Sequence, residues 1–234
     1  PGTPILSVKL EAPSTTPLGT VFAVTLKFTY TGQVVGPDSK KTTTDRPITF
    51  RCWSVVASHD TNPSREGFWL YRHRPSDNSN DVSKEDAWEV CDMDDGSCGA
   101  FVIVNDPGKE VRVAMNSALT TDFTSLRPGE TWTTSEMLQS VYWSLLPDDT
   151  APGDRFRFCF KGAFVDWWDW GDLKEHEEAQ TTVMLPCWEA GRVIVRETDK
   201  KMPTLVIPGA DEMVEFVIVD GGPERRREIR VLIE

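Results

Sequence analysis

From Val21 to Tyr30 the chain places Phe22, Val24, Leu26, Phe28 and Tyr30 at alternate positions, with Thr25, Lys27 and Thr29 between them. Successive side chains of a strand point to opposite faces, so this period of two predicts a strand with one face buried. The pattern recurs in Arg155–Phe160, where Phe156, Phe158 and Phe160 share a face. Weaker versions run through Ile5–Leu10, Pro47–Val56 (Ile48, Phe50 and Cys52 inward), Gly67–His73, Ala87–Cys91, Ala100–Val104 and Lys109–Met115. Further strands are predicted at 180–185, 192–196, 204–207, 213–219 and 228–233. Turn chemistry separates them, in Ala12–Gly19, Asn105–Gly108, Pro147–Asp154 and Asp220–Pro223, and the chain holds 16 Pro and 16 Gly. The polar stretch Gly32–Asp45 reads as a mobile hairpin loop.

About 12 strands at this spacing predict an all-β fold, a decorated antiparallel β-sandwich of immunoglobulin-like layout. The helices that a doubly wound sheet requires are missing. At most one short helix is expected, over Thr134–Leu146, where Ser135 offers a cap and Met137, Leu138, Val141, Tyr142 and Leu145 follow helical spacing. A strand is the alternative there. Residues 1–234 read as a single domain, with 203–234 a C-terminal hairpin extension of it, because 30 residues do not easily form a core of their own.

Asp and Glu outnumber Lys and Arg by 37 to 25, a formal net charge of −12. That field repels phosphate backbones and argues against nucleic acid as a general partner. Hydrophobic residues are 39% of the chain, mean hydropathy is −0.36, and no apolar run approaches the roughly 20 residues of a bilayer span, so no membrane partner is expected. No signal-peptide pattern or glycosylation sequon is visible and the five cysteines are an odd number, which favours a reduced, cytoplasmic setting; secretion stays the alternative. Cys91 and Cys98 flank a Gly-containing loop that an oxidising compartment could close. Cys52, Cys159 and Cys187 lie in apolar strands and read as small core residues.

Trp167, Trp168 and Trp170 fall within four positions, interleaved with Asp166 and Asp169. Indoles offer the largest apolar surface of any side chain, so such a cluster either plugs the open end of a core or forms a binding surface. In the second case the rings stack on a sugar or clamp a cation while the acids orient it. On a strand, Trp167 and Asp169 share one face, and Asp166, Trp168 and Trp170 the other. Residues 166–178 hold six acids against Lys174, together with His176, but the spacing matches no metal-binding loop, and a solvated acidic loop is the simpler reading. Neither metal nor cofactor is expected. His59, His73 and His176 are the only histidines, His73 is expected to be exposed between two arginines, and no nucleophile elbow occurs. Arg225–Arg227 reads as a hairpin tip, and the alternating 228–233 strand offers an edge for a homodimer.

Five short pieces carry a resemblance: Ala12-Pro13-Ser14, Arg46–Phe50, Leu126-x-Pro-Gly-Glu-x-Trp132, Pro152–Phe156 and the Trp167–Gly171 segment. Their combination resembles β-rich proteins of filamentous fungi that have no assigned activity, so the resemblance implies a sandwich fold and no functional residues. The residues themselves point to a non-catalytic binding or protein-interaction module. Its ligand would be a small molecule, a glycan or a protein at an aromatic-acidic patch of Asp166, Trp167, Trp168, Asp169 and Trp170. The alternative is a hydrolase or biosynthetic tailoring enzyme that uses carboxylates as general acid and base.

Overall fold

The computed structural model describes residues 2–52, 55, 67–74, 88–91, 110–114, 123–139, 144–165, 167–176, 180–184, 192–194 and 202–221. Within them the chain is almost entirely β. Four of the expected features lie outside these residues: the strands at 100–104 and 228–233, the Cys91–Cys98 loop beyond Cys91 itself, and the Arg225–Arg227 tip.

The organising strand is β3 (Phe22–Val35), with β1 (Thr3–Glu11) and β10 (Thr131–Gln139) antiparallel on its two sides and β4 (Lys41–Thr43) paired to its far end. The five alternating side chains predicted to face inward, Phe22 to Tyr30, are all buried. At about 1.5–3 kcal/mol for each fully buried apolar side chain, they contribute on the order of 10 kcal/mol of transfer free energy, as much as a typical net stability. The opposite face is polar, with Thr29 and Thr131 hydroxyls 2.7 Å apart and Lys27 2.6 Å from Glu11.

A five-stranded sheet runs in the order β2 (Thr15–Pro17), β17 (Val214–Val219), β11 (Arg155–Phe160), β6 (Phe68–His73) and β7 (Trp88–Val90). Its pairings are antiparallel except β2 on β17, which is parallel. Phe156, Phe158 and Phe160 point into the core as predicted. Ring contacts join this sheet to the first, Phe22 to Phe216 at 4.5 Å and Phe28 to Phe160 at 5.7 Å. Three smaller antiparallel sheets complete the described chain. They are β12 (Gly162–Val165) with β16 (Leu205–Pro208), then β13 (Trp168–Trp170) with β5 (Ile48–Arg51) and β9 (Phe123–Leu126), and β15 (Arg192–Ile194) with β14 (Gln180–Met184) and β8 (Glu110–Ala114). Phe50 of β5 meets Trp132 of β10 at 6.1 Å, so the β13–β5–β9 sheet shares the core of the first two.

Two expectations are corrected. The helix expected over Thr134–Leu146 is strand β10 as far as Gln139. The second edge of β3 carries backbone groups that a neighbouring helix could not pair, and leaving them unpaired in the core is costly. A register shift between Met137 and Gln139 lets Leu138 and Gln139 both be buried, which accounts for the helix-like spacing at that point. Gly32–Asp45, read as a mobile hairpin loop, is a hairpin whose arms are paired strands, β3 running on to Val35 and returning as β4, with Gln33, Val34 and Val35 opposite Thr43, Thr42 and Lys41. A polar composition here marks an exposed ribbon rather than an unstructured one.

Candidate functional site

The tryptophan segment enters β13 beside β5, with Trp168 opposite Phe50, Asp169 opposite Thr49 and Trp170 opposite Ile48. Alternation then sorts the side chains as the period of two requires. Trp168 and Trp170 are 4% and 8% exposed and belong to the core, whereas Trp167 and Asp169 are half-buried on the other side. Asp166 lies outside the described residues. Of the residues named for the patch, Trp168 and Trp170 thus take the core-plugging role, while Trp167 and Asp169 keep surface. Trp168 and Trp170 contact each other edge to face at 5.5 Å, and the Trp168 Nε1–H donates to the Pro203 carbonyl at 2.7 Å. The Arg46 guanidinium lies 5.1 Å from the centre of the Trp170 ring and closes its outer end. Two indoles anchored in this way hold the segment still, and the patch contracts to Trp167 and Asp169.

Trp167 is positioned from three directions. Its carbonyl accepts from the Arg51 amide at 3.0 Å, and its ring meets Phe123 edge-on at 5.1 Å and His176 at 5.6 Å. The Asp169 carboxylate accepts from the Trp170 amide at 2.7 Å, which fixes one oxygen against the backbone. Next, Gly171 adopts φ +118°, a left-handed backbone in which the Glu175 carboxylate lies 3.1 Å from where a Cβ would stand. The Glu175 carboxylate accepts from the Asp172 amide at 2.8 Å and closes a 3₁₀ turn over Leu173–His176, and Arg127 pairs with Asp172 at 3.0 Å. The turn buries His176 against Trp167. Part of the acidic run expected to be solvated is thus a folded brace for the Trp167 ring, although Lys174 and Glu175 remain exposed. Beneath it Thr49, fully buried, donates its hydroxyl to the Gly171 carbonyl at 2.7 Å, with the Ser125 hydroxyl also 2.7 Å away.

The arrangement presents one indole and one carboxylate on a rigid mount. Among the described residues no group of three His, Cys, Asp or Glu side chains is placed to hold a metal ion. A shallow depression lined by Thr43, Thr44, Asp45 and Pro128 offers one acid and no base. His73, expected to be exposed, is half-buried with its ring 5.2 Å from Trp88. His59 lies outside the described residues. Cys91 and Cys159 are free thiols, and burial pushes Cys91 up to about 11 and raises Cys159, so neither is a thiolate at neutral pH.

Two arrangements had no signal in composition or motif. Arg51 and Arg72 are 1% and 5% exposed. Arg72 is held by Asp149 and, at 2.7 Å, by Asp154. The outer face of the five-stranded sheet carries aromatic rings among cations, which alternation in 67–73 and 155–161 could have revealed, since whatever stands between inward phenylalanines must point outward. No family model, curated protein or solved structure matches the chain. No helix among the described residues is long and apolar enough to cross a membrane.

Proposed function

We propose that this chain is a non-catalytic binding or protein-interaction module, built as one β-sandwich of immunoglobulin-like layout, that holds a glycan or an organic cation at Trp167 and Asp169. The observation that carries the reading is the division of labour within one strand: Trp168 and Trp170 are buried anchors, and Trp167 and Asp169 are held half-open on the other face. A half-exposed indole braced by two rings stacks on a sugar face or a quaternary ammonium without losing rotamer freedom, so the entropic cost of binding is low. The neighbouring carboxylate supplies an acceptor for hydroxyl groups or a counter-charge.

Electrostatics support the non-catalytic reading over the enzymatic one. The described carboxylates with displaced titration are Glu11, Asp149 and Glu215, and each is held below its ordinary range by hydrogen bonds from a cation, Lys27, Arg72 and Arg157 respectively. A general acid at neutral pH needs the opposite displacement. The test is a titration with neutral oligosaccharides and with choline, followed by indole N–H chemical shifts in the wild type and in Trp167→Phe. A ligand-dependent shift of the Trp167 resonance in the wild type, and weaker binding by the variant, are the expected results. Binding that leaves this resonance unmoved would defeat the assignment.

A further inference from the structure

The two large sheets treat their outer faces differently. That of the β1–β3–β10 sheet carries threonines and the Lys27–Glu11 pair, an ordinary solvated surface. That of the five-stranded sheet carries rings. On β6 the inward residues are Phe68, Leu70 and Arg72, so Trp69 and Tyr71 point outward, their rings near-parallel and 6.3 Å apart. Strand pairing places Arg157 opposite Tyr71 on one side and opposite Glu215 on the other. The Lys161 ammonium sits 3.7 Å from the Trp69 ring centre and 5.7 Å from that of Tyr71, and the Arg157 guanidinium 4.1 Å from the Trp88 ring. Arg157 and Arg155 share Glu215, at 2.7 and 3.2 Å. Among the described residues, Arg155, Arg157 and Lys161 against Glu215 give two surplus positive charges, in a chain whose net charge is −12.

We propose that the outer face of the five-stranded sheet docks an acidic oligosaccharide, a glycan that carries isolated carboxylates among neutral sugars. A flat face with a row of rings fits a ligand that has apolar faces and polar edges, and both sugars and nucleobases have them. The charge balance separates the two. A nucleic acid strand adds a phosphate with every unit, against the field of a strongly acidic chain and only two surplus positive charges, whereas a sparsely acidic glycan matches that surplus. An acidic peptide would gain its backbone hydrogen bonds at a sheet edge and not on a face. Lys161, which is exposed and in contact with two rings, is the group that meets the carboxylate, and Trp88 and Tyr71 carry the sugar faces. The surface shares no residue with the Trp167 patch, so each stands or falls on its own variants.

The experiment is calorimetric titration of the whole chain with xylo-oligosaccharide bearing one glucuronic acid, with the neutral xylo-oligosaccharide of equal length, and with oligothymidylate. The acidic glycan is expected to bind about tenfold more tightly than the neutral one, a difference of about 1.4 kcal/mol. Lys161→Gln should remove that preference and leave the neutral glycan unaffected. Trp88→Ala should weaken both glycans about fivefold, the size of one lost ring contact. Melting curves of both variants report the fold separately, and Trp167→Phe should leave the preference for the acidic glycan over the neutral one unchanged. Equal binding of the two glycans, preferential binding of oligothymidylate, an undiminished preference in Lys161→Gln, or no binding of the acidic glycan near millimolar concentration would each overturn the proposal.

Discussion

Asp154→Ala should be among the most damaging single substitutions outside the hydrophobic core. Arg72 points inward from β6 and is 5% exposed, with the Phe156 ring 5.9 Å away. Its charge is met by Asp154, whose side chain is 23% exposed, and by Asp149, whose side chain is 65% exposed. The better shielded partner contributes most, because an exposed pair is screened by water and is worth little. Asp154 also accepts from the Ala151 amide at 2.7 Å. Removing Asp154 leaves the buried charge to the exposed Asp149 alone, and the cost falls towards the lower end of the range of about 3–5 kcal/mol for a broken buried pair, while the lost turn hydrogen bond adds about 1 kcal/mol. For a chain of this size each kcal/mol lowers the melting temperature by about 2–4 °C, so the expected loss is on the order of 10 °C. The Arg72 Nε hydrogen has no acceptor among the described residues, so the pair is imperfectly solvated even when intact. Arg72→Met in the Asp154→Ala background should therefore recover most of the loss, as apolar replacement of a buried pair often does. Calorimetric melting of the wild type, the two single variants and the double variant measures the coupling. A loss below about 1 kcal/mol in Asp154→Ala, or a double variant no more stable than Asp154→Ala, would refute the claim that Arg72 carries a buried charge.

Three further outcomes follow from the geometry. Trp168→Ala should cost about 3–5 kcal/mol in urea unfolding, since it empties core volume and orphans the Pro203 carbonyl, whereas Trp167→Ala should cost less than half of that. Melting temperature should fall as pH drops through the acid range: Glu11, Asp149 and Glu215 have folded-state titrations below their unfolded ones, so their contribution is present above about pH 4 and is lost as they protonate in the native state. A rise in stability on acidification would contradict those pairings. Site-resolved alkylation at neutral pH should leave Cys91 and Cys159 unmodified in the native protein and modify both once urea unfolds it, because burial holds both thiols protonated. Rapid native labelling of Cys91 would show that the chain just after β7 opens readily.

What was legible in advance depended on whether a local pattern had one physical solution. Phe22–Tyr30 and Phe156–Phe160 leave only one face for their apolar side chains, and both strands lie as alternation requires. The same parity separated Trp167 and Asp169 from Trp168 and Trp170 before any coordinates existed. Thr134–Gln139 misled because Met137 and Leu138 are adjacent apolar residues, which suit a helix stripe or a strand with a shifted register equally well, and only the open edge of β3 decides between them. The 32–45 segment misled because its returning strand, β4, is exposed throughout and has no apolar alternation to detect.

By itself the sequence determined the class of structure: a chain of short alternating strands punctuated by Pro and Gly, too rich in period-two patterning for helices, with its largest apolar surfaces concentrated at Trp167–Trp170. Burial of charge and partnership between strands were decided only by the tertiary structure. Arg72 looks like any surface arginine until β6 turns it towards Asp154, and the parity of Trp69 and Tyr71 says that they share a face but not that Lys161 and Arg157 lie across them. The physical reason is range. Alternation is a property of neighbours along the chain, while pairing a charge or covering a ring depends on residues that are brought close only when the sheets assemble.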